Sequence, residues 1–277
     1  MSANDDSANP VTNTDADRGQ VSRSAAEIYE EFFVPALFAQ WAGRVVEAAG
    51  LQESEWVLDV ACGTGVLARA VAERVGAQRV VGLDANEGML AVARRTAPGI
   101  DWRLGSAEAL PFDDASFDAV VSQFGLMFFA DRRAALQEMW RALRPGGRLV
   151  VAVWDSIEHS PGYAALADLL QELFGDEAAD ALRAPFALGD VQKLRALYEV
   201  LGAAPVEIST QPGTARFPSI AAWIHTEIKG WVLANRLDDT QFAALLAAAE
   251  QRLATFRTPD GEVVFAAPAH IVSATKE

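Results

Sequence analysis

The stretch Trp56-Val57-Leu58-Asp59-Val60-Ala61-Cys62-Gly63-Thr64-Gly65-Val66-Leu67-Ala68 decides the fold. An apolar run with one acid near its end meets two glycines, then continues at helical spacing through Val66, Leu67, Ala70 and Val71. Such a run reads as a parallel strand buried on both faces. Gly63 and Gly65 permit a tight turn and a close approach of backbone to ligand, which a Cβ would obstruct. Strand, glycine turn and helix meet where open α/β sheets bind their ligands. The fold class expected is α/β, with a doubly wound, mostly parallel sheet.

Gly63 to Ala68 also satisfies the G-x-G-x-x-G/A spacing of dinucleotide sites, a short pattern of low specificity. Two neighbours separate the readings. Asp59 precedes Gly63 at the strand's C-terminal edge, where a carboxylate suits a cationic ligand better than a pyrophosphate. Arg79-Val80-Val81-Gly82-Leu83-Asp84 reads as a second strand ending in an acid, 19 residues beyond Gly65. A βαβ unit of that length brings a ribose contact beside the glycine turn. No lysine precedes Lys193, so a phosphate-cradling Gly-Lys-Ser/Thr loop is absent. A positively charged nucleoside without phosphate fits this layout. A nicotinamide-linked oxidoreductase is the alternative, and it needs the glycine turn to face a pyrophosphate.

Val57 to Gly65 resembles the first motif of class I S-adenosylmethionine-dependent methyltransferases. Three further stretches agree in order: Val81-Gly82-Leu83-Asp84, then Gly105-Ser106-Ala107-Glu108-Ala109-Leu110-Pro111-Phe112, then Leu143-Arg144-Pro145-Gly146-Gly147-Arg148-Leu149. Together they resemble the branch containing the ubiquinone/menaquinone-biosynthesis methyltransferases, from about Ala25 to Trp154. The resemblance implies S-adenosylmethionine as cofactor, S-adenosylhomocysteine as product, and a seven-stranded sheet whose last strand runs antiparallel between the fifth and sixth. It implies cofactor contacts at Tyr29, Asp59, Ala61, Gly63, Gly65, Asp84 and Met89. It places the adenine near Ser106, Ala107 and Glu108, although many relatives carry Asp where this chain has Ser106. Ser122 and Gln123, at the lip of a central strand, are expected beside the sulfonium, with Phe124 at the transfer site. Phe128 and Phe129 read as core. A non-catalytic protein that keeps the nucleoside pocket is a third reading.

The 277 residues, 51% hydrophobic and 22% charged, have an ordinary globular balance. A formal charge of −15 argues against a nucleic-acid partner, which would demand clustered Lys and Arg. It is also compatible with a high-salt host. Cys62 is the single cysteine, so no intrachain disulfide forms. No apolar run approaches the length of a membrane span. Residues 1–22 are rich in Asp, Asn, Ser and Thr and read as a disordered tail rather than a targeting peptide. A cytoplasmic enzyme acting on a small molecule is expected.

Ser24 with Glu27 reads as a capping box opening a helix to Phe33, interrupted by Pro35 and resumed from Leu37 to Ala49. Asn86 and Asp131 read as helix N-caps. Arg144 to Gly147 reads as a turn before a strand over Arg148 to Trp154. Residues 23–277 are expected to form one domain, with cap-forming helices at about 160–200 and 218–257. Glu262 to Ser273 reads as one strand, bent at Pro268. His159, in the loop after the fifth strand, is the candidate general base. The spacing of His159, His225 and His270 suggests no metal site. Phe124, Met127, Trp154, Tyr163, Trp223 and Trp231 point to an aromatic or apolar acceptor.

Overall fold

The computed structural model describes residues 23–203, 205–229 and 237–277. The stretch 1–22, Trp231 and part of the cap expected at about 218–257 lie outside these described residues. In chain order the elements are α1 (Arg23–Ile28), a π-helical segment (Tyr29–Phe38), α2 (Ala39–Ala49), β1 (Val57–Val60), α3 (Val66–Val75), β2 (Val80–Asp84), α4 (Glu87–Thr96), β3 (Asp101–Leu104), β4 (Phe117–Gln123), α5 (Arg132–Ala142) and β5 (Leu143–Trp154). Then come α6 (Pro161–Phe174), α7 (Asp176–Arg183), α8 (Val191–Tyr198), β6 (Val206–Gln211), β7 (Thr214–Phe217), α9 (Ile220–Lys229), α10 (Asp239–Arg252), β8 (Val263–Ala266) and β9 (Ala269–Thr275).

Seven strands form one sheet in the order β3-β2-β1-β4-β5-β9-β6. β1 is buried at every position and pairs in parallel with both β2 and β4. From β1 the chain steps one way through α3 and α4, and from β4 it steps the other way through α5. Right-handed crossovers then put those two sets of helices on opposite faces, so the order reverses between β1 and β4. β9 inserts antiparallel between β5 and β6, as the resemblance implies.

Three local expectations need correction. The helix at the N-terminus starts at Arg23, with Ser24 inside it, and runs through Pro35 instead of stopping there. The π-helical turn accommodates the proline, because its wider spacing moves the clash and the missing donor out of an ordinary i→i−4 ladder. Arg144 to Gly147 do not precede β5 but form a bulge within it. Phe117 pairs Leu143 while Ala119 pairs Arg148, and Gly146 takes φ +80° to make the detour. Finally, Glu262 to Ser273 is two strands in different sheets. β8 pairs with β7, an unforeseen strand, and Pro268 stands at the break before β9 joins the main sheet.

The stretch between β6 and β9 is thus an insertion holding a two-stranded sheet as well as the two expected helices. Gly50 ends α2 in the left-handed conformation, and Asn86 and Asp131 cap α4 and α5 through their side chains, the last two as read. Phe33, Phe38 and Trp41 are buried completely or nearly so and bind the N-terminal helix to the sheet. Side chains of this size contribute about 1.5–3 kcal/mol each by burial.

Candidate active site

At the carboxyl ends of β1 and β4 the chain leaves the sheet in unusual conformations. Ala61 and Phe124 both take positive φ, at 58° and 56°, although neither is glycine. Such residues cost on the order of 1–3 kcal/mol and collect at ligand sites, where the surrounding fold holds them. Gly63, at φ +55°, stands between them, and a Cβ there would project into open space. Cys62 N–H donates to Leu83 O at 3.0 Å, which draws the glycine turn against the end of β2.

These elements border a crevice of about 680 Å³, within the usual range for a small-molecule site. One wall is the turn itself, with Ala61, Gly63 and Asp84. A second is Met89 on α4 with Ser106, Ala107 and Glu108. The third is aromatic and comes from Tyr29, Phe38, Phe124, Phe128 and Phe129. Behind that wall Phe124 stacks on Trp154 with centroids 3.7 Å apart, and Phe38 stacks on Tyr29 at 5.0 Å.

The charged residues lining the crevice are Asp84, Glu108 and Asp131, and no described lysine or arginine lines it. Asp84 Oδ2 accepts from Gly63 N–H at 2.7 Å and Oδ1 from Asn86 N–H at 2.8 Å. Burial raises the Asp84 carboxyl, and the N–H groups of Asn86, Gly63 and Ala85 pull it partway back. Partial burial also raises Glu108. There the hydrogen bonds from the Ser106 hydroxyl and from the N–H groups of Glu108, Ala130 and Asp131 outweigh it, leaving the acid below its ordinary value. The Tyr29 phenol is pushed far upward by burial and by Glu30 and Asp84, so it stays neutral.

Of the residues singled out in the sequence, Tyr29, Ala61, Gly63, Asp84, Met89, Ser106, Ala107, Glu108 and Gln123 all line this crevice. Asp59, Gly65 and Ser122 do not. Asp59 is 1% exposed, beneath the floor rather than at its edge. Burial first, then the nearby Asp84 charge, drives its carboxyl well above the usual range, with only a weak downward pull from Ala68 N–H. Neither oxygen has a partner at hydrogen-bond geometry. Burial without hydrogen-bond partners therefore disfavours the charged form of Asp59. Ser122 is fully buried below the same floor. His159 sits in a short turn away from the crevice, its side chain 63% exposed and its Nδ1 2.8 Å from Asp155 Oδ2.

The sequence reading missed Phe38, Asn86 and Asp131 as lining residues, and took Phe128 and Phe129 for core. Both phenylalanines are only half-buried, because the turn after β4 swings them over the crevice. Asn86 and Asp131 were legible as caps, and a cap placed at the end of a strand in this fold also faces the ligand.

Residues 57–147 match the family model described as Methyltransferase domain. The demethylmenaquinone methyltransferase of Renibacterium salmoninarum is 47% identical over 113 residues, covering 41% of this chain and 47% of that protein. The chain spans about half the length of the curated relatives it matches. Phosphoethanolamine N-methyltransferase 2 of Haemonchus contortus, solved with phosphomonomethylethanolamine and S-adenosylhomocysteine, superposes with a TM-score of 0.61 at 18% identity, covering 94% of this chain and 58% of that one. The cyclase SpnF superposes at 0.53 with 22% identity, covering 86% and 81%. Those likenesses establish the fold, which hosts more than one chemistry. Apart from Tyr29 and Phe38, every residue lining the crevice lies within the stretch that matches this model.

Proposed function

We propose that the chain transfers a methyl group from S-adenosylmethionine to a small planar aromatic acceptor, of the quinone type named for its relatives. The observation that carries the proposal is the charge of the crevice: Asp84 occupies Gly63 N–H, three acids line the site, and no described base does. A pyrophosphate would lose that N–H and meet carboxylates instead of cations, whereas a sulfonium nucleoside meets the charge it needs. This sets aside the nicotinamide-linked reading.

The residues present fit the group. Asp84 has acceptor capacity left on both oxygens for ribose hydroxyls. Met89 and Ala107 offer apolar surface to a base, and Ser106 and Glu108 offer polar edges. Gly63 lets the methionine portion lie against backbone. When bound, the cofactor supplies an electrophilic methyl on a sulfonium. The chain's own task is to hold the acceptor nucleophile in line with that carbon and to exclude water. Such positioning supplies roughly 7–11 kcal/mol. Tyr29, Phe38, Phe124, Phe128 and Phe129 would clamp the ring and keep the transfer end dry. The acceptor would gain the methyl, S-adenosylhomocysteine would leave, and the acceptor's proton would pass to water as the product is released. A cytoplasmic location accompanies this reading, and no described helix is long and apolar enough to cross a membrane.

Calorimetric titration with S-adenosylhomocysteine and with NAD tests the cofactor. Saturable binding of the first and none of the second is expected. Mass spectrometry of naphthoquinol-type acceptors incubated with enzyme and S-adenosylmethionine should then show a gain of one methyl group. Binding of NAD alone would end the proposal.

A further inference from the structure

The glycine turn rests on something the sequence motif does not contain. Trp102, in β3, is 8% exposed, and its indole lies under the turn. A Cβ built on Gly65 would stand 2.5 Å from Trp102 Cη2. A Cβ built on Gly82 would stand 2.3 Å from Cζ3 and 2.4 Å from Cε3 of the same ring. One six-membered ring is thus wedged between two glycines, one in β2 and one opening α3. Gly82 is the register partner of Trp102, so the ring lies across its own neighbour's bare backbone. Trp102 Nε1 donates to Ala97 O at 2.9 Å, which fixes the ring along its other edge.

We propose that Trp102 is a positioning residue for the nucleoside site: its indole, gauged by Gly82 from below, sets the height and shape of the turn that presents Gly63. The inference rests on the S-adenosylmethionine reading above for the identity of the ligand, and on the packing alone for the wedge. Trp102 does not line the crevice, and neither does Gly82. Their influence on the ligand passes through Gly65, two residues from the Gly63 N–H that Asp84 holds. Interiors are close-packed and the ring is held on three sides, so adding one methyl at position 82 has to lift the ring rather than be absorbed. Gly82 carries no positive φ, so alanine there is free of backbone strain and the steric effect is isolated. Apart from Trp102, the near neighbour of that methyl is Cys62 Sγ at 3.1 Å, a tight contact that a small shift relieves.

The test is a double-substitution cycle on the full chain, using Gly82→Ala, Trp102→Leu and the two together. Two readouts are taken: calorimetric affinity for S-adenosylhomocysteine, and amide hydrogen exchange across Ala61 to Ala68 without added nucleoside. Gly82→Ala alone is expected to weaken binding about tenfold and to change exchange in the turn. With Trp102→Leu already present, the same alanine should cost less than about twofold, because the shorter side chain leaves room for it. The turnover number at saturating cofactor should change little, placing the effect in KM. If Trp102→Leu fails to fold, Trp102→Phe takes its place, and Gly82→Ala still reads the wedge in the parent chain. A Gly82→Ala protein with wild-type affinity and exchange would overturn the proposal. So would an equal penalty with and without Trp102, since a merely structural tryptophan gives additive losses. Should the parent chain bind no S-adenosylhomocysteine, the functional reading fails, and the exchange readout still decides the wedge.

Discussion

Asp84 does two things with one carboxylate. It holds the glycine turn closed through Gly63 N–H, and it faces the crevice where ribose hydroxyls would lie. Asp84→Ala is therefore expected to weaken S-adenosylhomocysteine binding by about 1–3 kcal/mol, as the loss of charge-assisted hydrogen bonds does. Calorimetry reads it directly, and unchanged affinity would remove Asp84 from the site. Asp59, in the first motif, is the counterexample. Asp59 lies inside β1, in register with Gly82, while Asp84 closes β2 two residues further on. That two-residue offset along the strands leaves Asp59 in the core and puts Asp84 at the lip. An acid in a motif is legible from sequence, whereas its protonation follows from burial that only the packed fold defines.

Among the elements, the N-terminal helix has the clearest coupling to the site. Arg69 on α3 pairs with Glu30 at 2.8 Å through one guanidinium nitrogen and donates to Thr64 O at 2.7 Å through another. Glu27 and Arg95 add a second link to α4 at 3.1 Å. Tyr29 and Phe38, the two lining residues outside the stretch 57–147, are held over the crevice by this arrangement. Both ion-pair partners at Glu30–Arg69 are partly exposed, so the pair itself contributes no more than about 1 kcal/mol. Arg69→Ala should accordingly lower nucleoside affinity only a few-fold, while hydrogen exchange across residues 23–38 speeds up measurably. Unchanged exchange there would mean the aromatic contacts alone hold the helix. Apolar periodicity revealed this element in the sequence, but not its continuity. Pro35 reads as a stop because an α-helix cannot carry it, and the π-helical turn that can is a rare alternative that no residue pattern announces. Trp102 is a similar case. Its type and strand were legible, while its place beneath Gly65 depends on a pairing register between β2 and β3.

For the molecule as a whole, a buried acid outside the crevice sets an expectation for stability. Glu227, in α9, is 3% exposed, and Trp223 Nε1 donates to it at 3.2 Å. Burial pushes its carboxyl up to about 8, with Tyr163 and Trp223 pulling it partway back. In the unfolded chain it titrates at an ordinary carboxylate value, about 4.3. Between those values the unfolded state has released its proton while the folded state keeps it, so stability falls as pH rises toward about 8. Melting temperature should decline by several degrees from mildly acid to mildly alkaline solution, and Glu227→Gln should flatten that slope. An identical slope in the variant would show that other groups govern it. The four motifs in the first half of the chain made most of the sheet legible in advance. The insertion was harder, because β7 and β8 are short and form a two-stranded sheet of their own.

The place of β9 has a consequence for biosynthesis. β5 and β6 both leave the ribosome well before the strand that joins them, and neither touches the other directly. Until residues 269–275 emerge, the nascent sheet therefore ends at β5 with an open row of backbone donors and acceptors, the kind of edge that invites chaperones or aggregation. Stalling synthesis between β8 and β9 should leave a chaperone-bound, protease-sensitive product, and release of the final strand should convert it within a single step.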